Sequence, residues 1–206
     1  MTPRYPKQQL WFPCGRYFLR TIKREDASDR WGEWLSDPWM VHVLNVAPRT
    51  LSKNEIADYI RSFDQRERLL LGIFERGTRA HVGFYRFDID HERREALINA
   101  IIGESSHRNS GATVLTGIPV IQHLFTALKL ERINASVLER NTMTMDYMLK
   151  LGWQRDDGPA TTMPSQTDGT ALTCRHLVWT ADAFRAFMAT PLGQRLRRQI
   201  ESDGKR

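Results

Sequence analysis

The side chains best suited to chemistry gather between Glu104 and Thr113, inside the stretch IIGESSHRNSGATVLTGIPVIQ that begins at Ile101. An apolar run closes on Glu104, a carboxylate able to take a proton from a substrate. Small and polar residues follow, and then Val114, Ile118, Ile121, Leu124, Phe125 and Leu128 recur at helical spacing. A strand that feeds a small-residue loop and a helix N-terminus makes an anion site on general grounds. The first helical N–H groups have no intrahelical partner, and the helix dipole places partial positive charge among them. Within Arg108–Thr113, Gly111 can take a positive φ cheaply and Arg108 can pair with a phosphate. His107, beside the loop, offers an imidazole for the same anion or for a proton.

Further along, Asn141 opens a helix that carries the hydroxyls of Thr144 and Tyr147. Either could donate a hydrogen bond or a proton. Neither cysteine stands out as a covalent nucleophile, since Cys14 lies near the N-terminus and Cys174 in a late strand. Two cysteines also cannot build a disulfide framework or a four-ligand zinc site, which points to a reduced, cytoplasmic protein.

The elements that must position these groups follow from periodicity. Arg16–Arg24 alternates as a strand, and EDASDRWGEWLSDP reads as a helix stopped before Pro38. Ser52 with Glu55 forms a capping box for a helix that carries Ile56, Tyr59, Ile60 and Phe63. Strands LLLGIFE and AHVGFYRFD flank the hairpin signal RGTR, and Glu95–Glu104 follows. After the long helix come the strand RINASVLE, a helix closed by Gly152, a weaker strand at WQRDD and the strand GTALTCRHLVWT. Two short helices finish the chain, the second with Thr190 as N-cap and Pro191 in its first turn. The order β-α-α-β-β-β-α-β-α-β predicts a mixed α/β sheet of six to seven strands with helices on both faces.

Composition sets the bounds. The 206 residues suffice for one good core, and 41% apolar with 26% charged residues is ordinary for a globular protein. The net charge of +6 belongs to the ends. Residues 1–24 hold six Lys or Arg and no acid, residues 181–206 hold six against three, and residues 25–180 hold 18 against 21. That distribution speaks against a nucleic-acid-binding core, although binding through the basic ends is a competing reading whose mark is steep salt dependence. The N-terminus lacks the apolar core of a signal peptide. The uncharged run Ser110–Leu128 could suggest a membrane span, yet Thr113, Thr116, Gln122 and His123 interrupt it and Gly117 and Pro119 break it. A helix with most of its girth covered by a sheet needs the same apolarity.

The ordered set of motifs resembles the GCN5-related N-acetyltransferase (GNAT) family. Arg-x-x-Gly-x-small after a strand and before a long helix looks like that family's acetyl-CoA pyrophosphate loop. LKLERINASVLERNTMTMDYMLKLGW resembles its next unit, with Asn141 opening a helix and Lys150, Gly152 and Trp153 closing it. YFLRTIKREDA, WLSDP and LLLGIFERGTRAHVGF resemble the branch that includes ribosomal-protein-alanine and amino-sugar acetyltransferases. The resemblance implies an acyl-CoA N-acyltransferase-like, mostly antiparallel sheet in residues 16–180, between an N-terminal extension (1–15) and a basic helical tail (181–206). It implies acetyl-CoA as cosubstrate without a metal. The pantetheine arm would lie along Ile102 and Gly103, and the pyrophosphate on Arg108, Asn109, Ser110, Gly111, Ala112 and Thr113. Asn141 and Thr144 would approach near the thioester.

Glu104 is then the leading base, with Thr144 and Tyr147 as candidate proton donors. The family's usual tyrosine position falls on Met148, and Thr113 stands where the family usually has Gly or Ala. The expected reaction is direct attack by a primary amine on a small metabolite, an amino sugar or a peptide N-terminus. Trp31, Trp34 and Trp39 are candidates to wall the acceptor pocket. The alternative is a non-catalytic acyl-CoA-binding module of the same fold. No nucleic-acid or membrane partner is expected, and a homodimer is left open.

Overall fold

The computed structural model describes residues 5–202, and within them nine strands form one open sheet. β1 (Trp11–Cys14), β2 (Tyr17–Thr21), β3 (Arg68–Glu75), β4 (His81–Asp90) and β5 (Glu95–Ile102) run antiparallel, each to the next. β5 meets β6 (Arg132–Leu138) in a parallel pairing. β9 (Ala171–Thr180) lies antiparallel beyond β6, and the short β7 (Gln154–Arg155) and β8 (Thr161–Pro164) both pair with β9.

Strand alternation sorts the side chains into two cores. Phe18, Leu70, Phe74 and Phe84 face α1 (Asp29–Glu33) and α3 (Lys53–Arg61), where Trp31, Trp34, Ile56 and Ile60 cover them. Tyr17, Leu19, Leu69, Leu71, Ile73, Tyr85 and Phe87 face the other way. There they meet α4 (Ala112–Thr126), α5 (Thr142–Lys150), α6 (Ala181–Ala189) and α7 (Pro191–Ser202). α4 accounts for the uncharged run: Leu115, Ile118, Val120, Ile121, Leu124 and Phe125 are all buried in the sheet's cover. Among the described residues no helix is long and apolar enough to cross a membrane.

Two details differ from the sequence expectation. The two-residue β7 is the weaker strand expected at WQRDD, and the sheet has nine strands rather than six to seven because β1 and β8 add two of four residues each. Such short pieces carry too little alternation to stand out, and Pro13 inside β1 masks it further. The helix expected to stop before Pro38 does so as α1 and a 3₁₀ turn, Trp34–Ser36, and a further helix, α2 (Pro38–Leu44), starts at that proline. Proline suits the first turn of a helix, where its missing N–H is no loss. Asp37 caps α2, its Oδ1 accepting from the Met40 N–H at 2.9 Å.

The stretch before residue 16 contributes β1 to the sheet, paired through Trp11↔Arg20 to Cys14↔Tyr17. At the other end, α7 packs against α6, β1 and α4. The capping box of α3 is formed as its residues predict, with Ser52 N donating to Glu55 Oε2 at 2.8 Å and Glu55 N to Ser52 Oγ at 3.3 Å.

Candidate active site

The site begins where two strands part. β5 pairs with β4 along its whole length, from Asp90↔Glu95 to Gly83↔Ile102. Against β6 it pairs only at Glu95↔Arg132, Ala96↔Ile133 and Leu97↔Asn134. β6 meanwhile stays with β9 through Leu138↔Cys174. The outer edge of Ile98–Ile102 therefore faces a notch, and its backbone groups are open to an extended, amide-bearing ligand. Half-buried Ile98, Ile102, Tyr147 and Met148 pack beside it.

At its exit the chain stays bound to β4 rather than β6. Gly103 N and Glu104 N both donate to the Val82 carbonyl, at 3.0 and 3.2 Å. Gly103 lies flat on Trp34, where a Cβ would fall 1.9 Å from the indole. Only glycine fits that contact. Trp34 Nε1 then donates to Glu104 Oε1 at 3.0 Å. Arg30 grips the same carboxylate with two hydrogen bonds of 2.7 Å. The Arg30 guanidinium, helped by the indole N–H, holds the Glu104 carboxyl below the usual carboxylate range.

From Glu104 the chain passes through a 3₁₀ turn, Ser105–His107, into the small-residue loop. Asn109 and Gly111 both take left-handed backbone, with φ of 60° and 80°. Gly111 is the N-cap of α4 and has no side chain to cap it, while Ser110 Oγ accepts from the first helical N–H, that of Ala112, at 3.3 Å. Open space surrounds the position a Gly111 Cβ would occupy. A helix start covered by one serine hydroxyl only, beside bare backbone, is a cradle for an anion.

Buried tyrosines hold this cradle from below. Tyr85 Oη donates to the Thr113 carbonyl at 2.7 Å and lies 3.1 Å from Thr116 Oγ1. Gly117 leaves room for that phenol, since a Cβ there would sit 3.1 Å from Tyr85 Oη. Tyr17 Oη lies 3.0 Å from His107 Nδ1 and 2.9 Å from Ser110 Oγ. Arg16 donates to Tyr17 Oη at 2.6 Å.

The remaining candidates fall around this frame. Arg108 turns back from the loop: its guanidinium donates to the Gly103 carbonyl (2.9 Å), the Ile102 carbonyl (3.4 Å) and Asp37 Oδ1 (3.1 Å). It also lies over the Trp39 ring, 4.6 Å from the centroid. Asn141 caps α5, its Oδ1 accepting from Thr144 N at 3.3 Å. Tyr147 reaches across from α5 to α4, its Oη 3.4 Å from Thr113 Oγ1. Burial pushes the Tyr147 phenol up to about 12. Trp31 and Trp34 are buried in the core under α1, while Trp39 is exposed.

Two hollows flank the Arg30–Glu104 pair. One, of about 430 Å³, is lined by Ser28, Trp31, His81 and His107 among others. The second, of about 240 Å³, is lined by Glu33, Trp34, Ser36, Asp37, Gly103 and Ser105 beside Arg30. Burial holds the His81 imidazole down at about 4, so it is neutral near pH 7. Sequence reading does not single out Arg30, Asp37, Tyr17 or Arg16. Each meets the loop region from 71 or more residues away, and no local pattern encodes such pairs.

The fold is a mixed sheet split beside a glycine-opened helix N-terminus. Residues 16–154 match the family model described as an acetyltransferase (GNAT) domain. The chain belongs to the GNAT acetyltransferase family and is an N-acetyltransferase. No curated protein matches the sequence.

Solved structures extend the likeness of fold. An acetyltransferase of the GNAT family from Bacillus anthracis is 15% identical with a TM-score of 0.69, covering 84% of this chain and 99% of its own. Spermidine N-acetyltransferase from Vibrio cholerae, in complex with CoA and spermine, is 15% identical with a TM-score of 0.70. That match covers 82% of this chain and 98% of the Vibrio protein. FdhC, a nucleotide-linked sugar GNAT in its apo form, is 16% identical with a TM-score of 0.69, covering 88% and 96%.

Proposed function

We propose that this chain transfers the acetyl group of acetyl-CoA to a primary amine by direct attack in a ternary complex. The observation that carries the reading is the parting of β5 from β6 after Leu97↔Asn134, next to the glycine-opened start of α4. The edge at Ile98–Ile101, left without a strand partner, suits the amides of the pantetheine arm, which would reach the Ile102 and Gly103 carbonyls only if Arg108 released them. The loop Arg108–Thr113 and the first turn of α4 suit the pyrophosphate. Asn141 and Thr144 stand on the other wall of the notch, near the thioester.

The acceptor amine would enter beside Glu104, through the hollow that Glu104 lines with Ser28, Trp31, His81 and His107. Glu104 is ionised at neutral pH and weakly basic. It suits an amine made acidic by the forming N–C bond better than one still free as ammonium. Thr144 is the donor best placed for the departing thiolate, because Tyr147 is turned to Thr113. The acceptor is a small metabolite, an amino sugar, a polyamine-like base or a peptide N-terminus.

Calorimetry with acetyl-CoA, followed by thiol release with a panel of amines, tests this. Micromolar binding and amine-dependent release of coenzyme A thiol are expected. Absence of binding at millimolar acetyl-CoA would sink the reading. Binding without release for any amine would leave an acyl-CoA-binding module instead.

A further inference from the structure

Arg108 is the only Arg or Lys between Glu104 and Thr116, and its guanidinium is turned onto Asp37, Gly103 and Ile102. The loop that would receive the polyanionic end of coenzyme A thus presents backbone, and its own cation is directed elsewhere. A second guanidinium stands at the loop. Arg16, exposed at the start of β2, donates to the Ser110 carbonyl at 3.4 Å and to Tyr17 Oη at 2.6 Å. It rests against the Tyr17 ring, 4.9 Å from the centroid. Tyr17 is fully buried and itself bound to Ser110 Oγ and His107 Nδ1, so the anchor is rigid. Neither partner of Arg16 cancels its charge, and among the described residues no carboxylate is paired with it.

We infer that Arg16 is the residue whose charge meets a phosphate of coenzyme A. The inference rests on the cofactor reading above and adds a residue 92 positions from the loop arginine. Three features make Arg16 fit. It is pre-oriented by a buried phenol, which lowers the entropy lost on binding. Its charge is uncompensated, unlike that of Arg108. It approaches the loop from the β2 side, beside Ser110 and away from the notch, where the outer phosphates would lie if the arm runs along β5. The shared chemistry is a phosphate oxyanion, supplied by either the pyrophosphate or the 3′-phosphate.

The test is titration calorimetry of acetyl-CoA and its 3′-dephospho form with wild type, Arg16→Gln and Arg16→Lys, at low and high salt. Arg16→Gln is expected to weaken acetyl-CoA about tenfold, and to flatten the salt dependence because one screened pair is gone. Arg16→Lys should recover part of the loss. A loss that persists with the dephospho form assigns the pyrophosphate, and one that vanishes assigns the 3′-phosphate. Arg16→Gln binding within about twofold of wild type would overturn the inference. So would weakening with an unchanged salt slope, which would make Arg16 a brace for Tyr17. Failure of the wild type itself to bind acetyl-CoA is a different result, because it removes the cofactor reading on which Arg16 depends.

Discussion

Two side chains, Glu104 and Tyr147, test the proposed proton transfers. Glu104 sits between Arg30 and Trp34, and the Arg30 contact is the larger cause of its lowered pKa. Because the charged form is the one favoured, Arg30→Met should raise the carboxyl toward its ordinary value of about 4.3. Carboxyl NMR titration measures this, and an unchanged Glu104 would show that the pair is idle in solution. The sign for stability follows: the pair stabilises the fold above the unfolded pKa and loses that contribution as pH falls through the folded one. Glu104→Gln should leave acetyl-CoA affinity nearly intact and lower turnover. Equal turnover, with chemistry rate-limiting, would remove Glu104 as the base. Tyr147 is neutral up to about 12 and its hydroxyl faces Thr113 in the first turn of α4. Tyr147→Phe is therefore expected to cost less than about tenfold in kcat and to act mainly on the KM for acetyl-CoA. A thousandfold loss in kcat with unchanged binding would instead identify Tyr147 as the general acid.

At the scale of elements, the exit of β5 and the start of α4 both depend on glycine, for opposite reasons. Gly103 has ordinary room for its backbone but none for a side chain, because Trp34 covers it at 1.9 Å from any Cβ. Gly111 has open space but a φ of 80°. Asparagine tolerates left-handed backbone, so Gly111→Asn should melt close to wild type. Gly103→Asn should lose about 1–3 kcal/mol through overpacking against a pinned ring. Thermal melts of the two variants test this, and a Gly103→Asn protein as stable as wild type would mean that Trp34 is not held there. The same contrast explains what could be read from sequence. Gly111, the helical period of α4, the Ser52–Glu55 box and the cap at Asn141 are local and were legible. The clasp of Arg30 on Glu104 spans 74 residues, that of Asp37 on Arg108 spans 71, and α2 hides behind a proline. Arg108 reads as a phosphate ligand because its motif is local, while its bond to Asp37 comes from 71 residues away and no local pattern encodes it.

At the scale of the molecule, the two basic ends meet, since α7 packs on β1 and α4. Ile200 is buried and Leu196 half-buried in the core that also holds Tyr17 and Tyr85, so α7 closes the core that supports the loop from below. Truncation after Thr190 should then be destabilising. The loss of the buried Ile200 with the partial cover of Leu196 is on the scale of one buried aliphatic side chain, about 2 kcal/mol. For a chain of this size that lowers Tm by about 4–8 °C. Ligand linkage gives an internal check. Acetyl-CoA at about a hundredfold its Kd adds about 2.7 kcal/mol to the native state, provided the truncated chain keeps the notch and the loop. The truncated protein with saturating acetyl-CoA should therefore melt near the full chain without it. Calorimetric scans of both chains, with and without acetyl-CoA, measure the two shifts together. A truncated chain that melts like the full one would show that α7 is only an appendage. A truncated chain that no longer responds to acetyl-CoA would show that α7 also shapes the loop, through Tyr17 and Tyr85 beneath it.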